Sequence, residues 1–170
     1  SVPEDVAAEV SGGDDSPVQT VRSPDGRVEV TIDVTEGVPR YHLQYDGTTI
    51  VEESALGFEF QNQPTFREGI SVTGTERSSV DETWEPVWDR YDEIREHYNE
   101  LRIGLDEIGD MNARSGTLEI RAFDDGIGFR FVFGDGFGDF VITSERTKYN
   151  FAGDYTSWWI QNDWNSFEYE

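Results

Sequence analysis

The sequence predicts an all-β protein, an antiparallel β-sandwich, and three observations carry that reading. Apolar and polar residues alternate over short runs. Pro-Asp-Gly and Asp-Gly turns separate those runs. No stretch keeps a 3.6-residue apolar period beyond about two turns. Many short strands joined by frequent turns bury their apolar faces best as two packed sheets.

Along the chain, residues 1–16 are mainly Ser, Gly, Asp, Glu and Ala. So little apolar surface cannot offset the entropy of ordering, and the segment reads as a disordered leader or linker before one domain over 17–170. Val28, Val30, Ile32 and Val34 then alternate with Glu29, Thr31 and Asp33, a half-buried strand. Pro24-Asp25-Gly26 before it is a turn, because Pro presets φ and Gly accepts a positive one. Tyr41, Leu43 and Tyr45 alternate again, and Asp46-Gly47 makes a tight hairpin into Thr48–Val51. Leu118, Ile120 and Ala122 lead through Asp125-Gly126 into Ile127, Phe129, Phe131 and Phe133, a second hairpin with an aromatic inner face. Trp88 to Leu101 fits neither period and stays ambiguous between helix and strand. Gly134–Asp139 lacks the spaced acids and closing Glu of an EF-hand, so it reads as a Gly-rich hairpin loop.

Composition narrows the function. The 170 residues hold 36 Asp or Glu against 13 Lys or Arg, a formal charge of −23. Such a surface repels phosphate, so nucleic acid is not an expected partner. No run approaches the ~18 apolar residues of a membrane helix, so no membrane partner is expected either. Lys148 is the single lysine. Acidity combined with lysine depletion reads as halophilic, since high salt screens the self-repulsion. Cysteine is absent, which excludes disulfides, thiolate metal sites and a Cys nucleophile. Phosphate loops, Gly-x-Ser-x-Gly and His-Glu-x-x-His are absent too, and His42 and His97 are the only histidines.

Two segments are rich in functional side chains. If the strand through Leu101, Ile103 and Leu105 extends backward, His97 and Asn99 share its inward face, while Tyr98, Glu100 and Arg102 share the other. Polar groups on an inward face need partners. His97 and Asn99 therefore either anchor a neighbouring loop or line a concave surface. Near the C-terminus, Trp158 and Trp159 point to opposite faces of any strand they form, and Trp164 follows. Such rings suit either a core or a sugar platform.

Several strings then occur in one order over 18–169: Ser23-Pro-Asp-Gly26, Leu56-Gly-Phe58, Asp81-Glu-Thr-Trp-Glu-Pro-Val-Trp88, Glu93-Ile-Arg-Glu-His-Tyr-Asn-Glu-Leu101, Phe123-Asp-Asp-Gly-Ile-Gly-Phe-Arg130, and Gly153-Asp154 with Trp158-Trp-Ile160. With them the chain resembles the amino-terminal domain of glycoside hydrolase family 97. The resemblance implies a super-sandwich like that of galactose-mutarotase-type domains, of which this chain is an incomplete portion. It implies a secreted or extracellular α-glucosidase or α-galactosidase, with a (β/α)8 catalytic barrel as the domain's partner and an oligosaccharide as substrate of the full enzyme. The barrel carries the catalytic carboxylates, so no catalytic residue is expected here and the chain alone should be inactive.

The resemblance also implies an active-site calcium, shared with the barrel, whose one ligand from this domain is Glu168. The string around it reads Asn162-Asp-Trp-Asn-Ser-Phe-Glu-Tyr169 and departs from the family at Asn162, Trp164 and Asn165, where Gly, Tyr and Asp are usual. His97, Asn99, Glu100, Trp158, Trp159 and Trp164 are candidates for the substrate side. The rival reading is a free-standing carbohydrate-binding sandwich using Trp158, Trp159 or Trp164 as its platform.

Overall fold

The computed structural model describes residues 13–88, 91–109 and 113–157. Twelve strands are found among them: β1 Val18–Arg22, β2 Val28–Asp33, β3 Arg40–Tyr45, β4 Thr48–Ala55, β5 Phe58–Phe60, β6 Gln63–Phe66, β7 Ile70–Trp84, β8 Ile94–Glu107, β9 Ser115–Phe123, β10 Gly126–Phe133, β11 Ile142–Glu145 and β12 Asn150–Phe151. The described residues contain no helix. Pairing is antiparallel throughout, in sheets ordered β1-β2-β3-β4-β12, β10-β9-β8-β7 and β11-β5-β6.

The expected hairpins form where turn chemistry allows them. Asp46 and Gly47 take φ of 48° and 74°, the double positive φ of a tight hairpin turn that right-twisted strands favour. Gly26 has φ 77°, and the Ser23 hydroxyl donates to Asp25 at 2.6 Å. The β9–β10 turn is Asp124-Asp125, one residue earlier than expected, because Gly126 already pairs with Phe123. The ambiguous stretch after Trp88 becomes strand from Ile94, where β8 pairs with β7 from Trp84↔Ile94 to Ile70↔Glu107. Local period gave no answer there; the long-range partner does.

The core lies between the first two sheets. β1 sits over β8 and β9, and β2 over β9. Leu101, Ile103, Leu105, Leu118, Ile120 and Ala122 face inward, buried to 2 % or less. Each large side chain so placed contributes roughly 1.5–3 kcal/mol of transfer free energy. The third sheet closes one end with a cluster of Phe58, Phe60, Phe66, Phe131, Phe133, Phe137 and Phe140, neighbouring rings lying between 4.8 and 6.4 Å apart. Phe137 anchors the Gly134–Asp139 loop into this cluster, 3 % exposed, so that loop serves packing.

Arg114 enters the same cluster, with its guanidinium 5.1 to 5.6 Å from the rings of Phe60, Phe66 and Phe137. It donates to the carbonyls of Pro64 at 2.8 Å and Thr65 at 2.9 Å, and pairs with Glu107 in a two-point contact. That pairing holds the Glu107 carboxyl below its ordinary range. Tyr41 is buried and donates its hydroxyl to the Lys148 carbonyl at 2.8 Å. Burial pushes its phenol up to about 12.

Candidate functional site

The described candidates fall in separate places. Asn99 lies on the inward face of β8, where its amide donates to the Arg22 carbonyl at 2.8 Å and its Oδ1 accepts from the Ser79 hydroxyl at 2.7 Å. Those bonds tie β7 and β8 to the end of β1. His97, on the same face, has Nδ1 3.6 Å from Asp124, and Asp124 accepts from the backbone N–H of Asp25 at 2.9 Å. This pair therefore gathers the 23–26 and 124–125 turns, as a loop anchor would. Hydrogen bonds from Ser23 and the backbone lower the Asp25 carboxyl.

Glu100 faces the opposite way, into a lattice of charges across three strands. Register places Glu100 beside Arg121, Arg102 beside Glu119, and Glu119 beside Arg130. Glu100 accepts from Arg102 at 2.9 Å and Arg121 at 2.7 Å. Glu119 accepts from Arg130 at 2.5 Å and lies 3.3 Å from Arg102. The arginine stems cover the two carboxylates, so Glu100 and Glu119 are 5 % and 7 % exposed on an outward face. Arg121 also lies over the Tyr98 ring at 4.5 Å. Sequence reasoning missed this lattice. Its signal was the Glu-x-Arg spacing at 100–102 and again at 119–121.

A third feature is the arm made by β7 and β8 beyond the end of β9, where Tyr98 pairs with Phe123. Asp81 and Arg95 clasp across it at 2.7 and 2.9 Å, which lowers the Asp81 carboxyl. Near its tip Trp84, Val87, Trp88 and Tyr91 are exposed, with Trp88 at 89 %. Glu85, Asp92 and Glu93 share an open concavity with Trp88 and Tyr91. Rings beside carboxylates offer stacking and hydrogen-bond acceptance together.

Glu168, Trp158, Trp159 and Trp164 lie outside the described residues. Among the described residues, no group of three or more His, Cys, Asp or Glu is arranged to hold a metal ion. Calcium takes six to eight oxygens, so a complete calcium site is not made by these residues.

The glycosyl-hydrolase 97 N-terminal family model matches residues 21–170, most of the chain. The chain belongs to this family. A retaining alpha-galactosidase of Bacteroides thetaiotaomicron is 33 % identical over 138 residues, covering 81 % of this chain and 20 % of that protein. A probable retaining alpha-galactosidase of Streptomyces bingchenggensis is 28 % identical over 143 residues, covering 82 % of this chain and 22 % of its own length. Among solved structures, a glycoside hydrolase family 97 enzyme from Pseudoalteromonas sp. strain K8, in complex with acarbose, superposes with a TM-score of 0.74 at 26 % identity, covering 79 % of this chain and 20 % of that one. A beta-arabinopyranosidase at TM-score 0.69 and 23 % identity shares the fold. The family 97 N-terminal chain described here thus spans about a fifth of the length of these relatives.

Proposed function

We propose that this chain is the non-catalytic N-terminal domain of a calcium-dependent α-glycosidase, an α-galactosidase or α-glucosidase, and that it supports a (β/α)8 catalytic barrel. The observation that carries the reading is the family match over 21–170, on a chain that spans only a fifth of its relatives. Hydrolysis needs two carboxylates flanking the scissile bond, about 5–5.5 Å apart for retention or ~6.5–9.5 Å for inversion. The near-buried acids described here, Glu100 and Glu119, are committed to arginines on an outward sheet face. In this reading the domain's direct part in the active site is Glu168, one oxygen ligand to a calcium whose other ligands come from the catalytic part. Bound there, calcium supplies charge that orients and polarises substrate.

The test is hydrolysis of aryl α-galactoside and α-glucoside by the full-length protein and by the 170-residue chain. Turnover is expected in the first and none in the second. Measurable turnover by the 170 residues alone would overturn the non-catalytic assignment.

A carbohydrate-binding role for the isolated sandwich is the second reading, favoured by the exposed Trp84, Trp88 and Tyr91 of the arm. We also infer a secreted enzyme, from the family resemblance, and one that works in high salt, from the charge of −23 and the single lysine. Raising KCl from about 0.1 M to a few molar shortens the Debye length from ~10 Å to 3 Å or less and should raise the melting temperature. A flat or falling value rejects the halophilic reading.

A further inference from the structure

We propose that the tip of the β7–β8 arm is an outlying sugar-binding site of the full-length enzyme, with Trp88 as its stacking ring and Glu85, Asp92 and Glu93 as hydroxyl acceptors. It grips a neutral oligosaccharide by units other than the one being cleaved. The inference rests on the reading above for an enzyme that acts on an oligosaccharide; the site itself is argued from the arm.

The arm is built to project. Past the end of β9, β7 and β8 pair for four more rows, from Asp81↔His97 to Trp84↔Ile94. At about 3.4 Å per residue, those rows carry the tip roughly 14 Å beyond the last row that β9 reaches. A two-stranded ribbon alone is marginal in water, and this one is braced at its root. Asp81 and Arg95 clasp across it at 2.7 and 2.9 Å. Asn99 holds the base of the arm to the Arg22 carbonyl at 2.8 Å. A site on a braced arm has less freedom to lose when it binds.

The tip offers bare rings. Trp88 is 89 % exposed, Tyr91 65 % and Trp84 46 %. Exposed rings elsewhere lean on a neighbour, as Phe151 does between Tyr149 and Tyr155. Among the described residues no ring lies against Trp84, Trp88 or Tyr91. Trp88 and Tyr91 border an open concavity of about 670 Å³, within the ~300–1,000 Å³ range of ligand sites.

The lining selects the ligand. Beside the rings stand Glu85, Asp92 and Glu93, and among the described lining residues none is basic. Three carboxylates repel an anion, and they are not arranged to hold a metal ion. The cores of protein–protein interfaces are depleted in Asp and Glu, which argues against another folded surface as the occupant. A neutral polyol suits both kinds of group. Its hydroxyls donate to carboxylate oxygens in short, charge-assisted bonds, and its C–H faces lie on the indole and phenol rings. Binding energy gathered there, away from the reacting centre, favours long substrates over short ones.

Kinetics of the full-length protein test the site. Trp88→Ala should lower kcat/KM for the α-linked tetrasaccharides stachyose and maltotetraose by about three- to tenfold, the effect of one lost ring contact. The value for aryl α-galactoside and α-glucoside should not change. Trp88→Tyr should restore most of the loss, and Glu93→Gln should reproduce part of it. An unchanged kcat/KM for the tetrasaccharides in Trp88→Ala overturns the proposal, and so does an equal loss on the aryl glycosides. A fall of several degrees in the melting temperature of Trp88→Ala also overturns it, because the ring would then be packed against the rest of the chain. If the full-length protein cleaves none of these compounds, the enzymatic reading fails, and calorimetry with the same tetrasaccharides decides the site alone. A Kd weakened about three- to tenfold in Trp88→Ala supports it; an unchanged Kd, or no binding by the unmodified protein, overturns it.

Discussion

Strands β8 and β9 bury both of their faces, the inner one under a second sheet and the outer one under arginine side chains. Toward β1 and β2, Leu101 and Ile103 are 0 % exposed and Leu118 and Ile120 are 2 % and 1 %. On the other side, Glu100 and Glu119 are nearly as hidden, at 5 % and 7 %. The inner burial removes apolar surface from water and drives folding. The outer burial removes charge from water, and attraction to Arg102, Arg121 and Arg130 does little more than repay that loss. Equal burial therefore does not mean equal stabilisation. The inner face supplies the stability, and the outer face is tolerated because every buried carboxylate oxygen has a partner.

The largest effect expected from this contrast is on the inner face. Leu101→Ala should cost about 2–5 kcal/mol, since its site is walled by packed strands that cannot collapse into the gap. The urea midpoint should fall with an unchanged slope. A loss below about 1 kcal/mol would mean that the inner face is not the main source of stability. On the outer face, Arg102→Ala should cost less, roughly 1–3 kcal/mol, because Glu100 and Glu119 each keep one arginine. Adding Glu100→Gln to Arg102→Ala should recover part of that loss by removing the uncompensated charge. If the double variant is worse than the single one, the cost lies in packing by the arginine stem, and the electrostatic half of the comparison fails.

The inner face was also the legible one. Alternation of Val28 to Ile32, of Leu118 to Ala122 and of Ile127 to Phe133 announces strands, and Asp46-Gly47 announces its turn, because apolar periodicity and turn chemistry are local. The outer lattice was not legible, because it depends on which residues of three strands stand side by side, and register is a long-range property. The arm from Asp81 to His97 was dense in motif yet unclear in structure, since it carries few apolar residues to set a period. Asn99 sits between these cases. Its inward direction followed from the alternation of Leu101 and Ile103, whereas its bond to the Arg22 carbonyl needed the second sheet in place.

The shared calcium site remains the central functional claim, and calorimetry on the full-length protein tests it most directly. Glu168→Gln removes one negative charge from the proposed shell. Calcium affinity and turnover should fall together, with turnover partly restored by excess calcium and the melting temperature of the metal-free protein unchanged. Unaltered calcium affinity and turnover in that variant would contradict the account, and Glu168 would be one more solvated acid among 36.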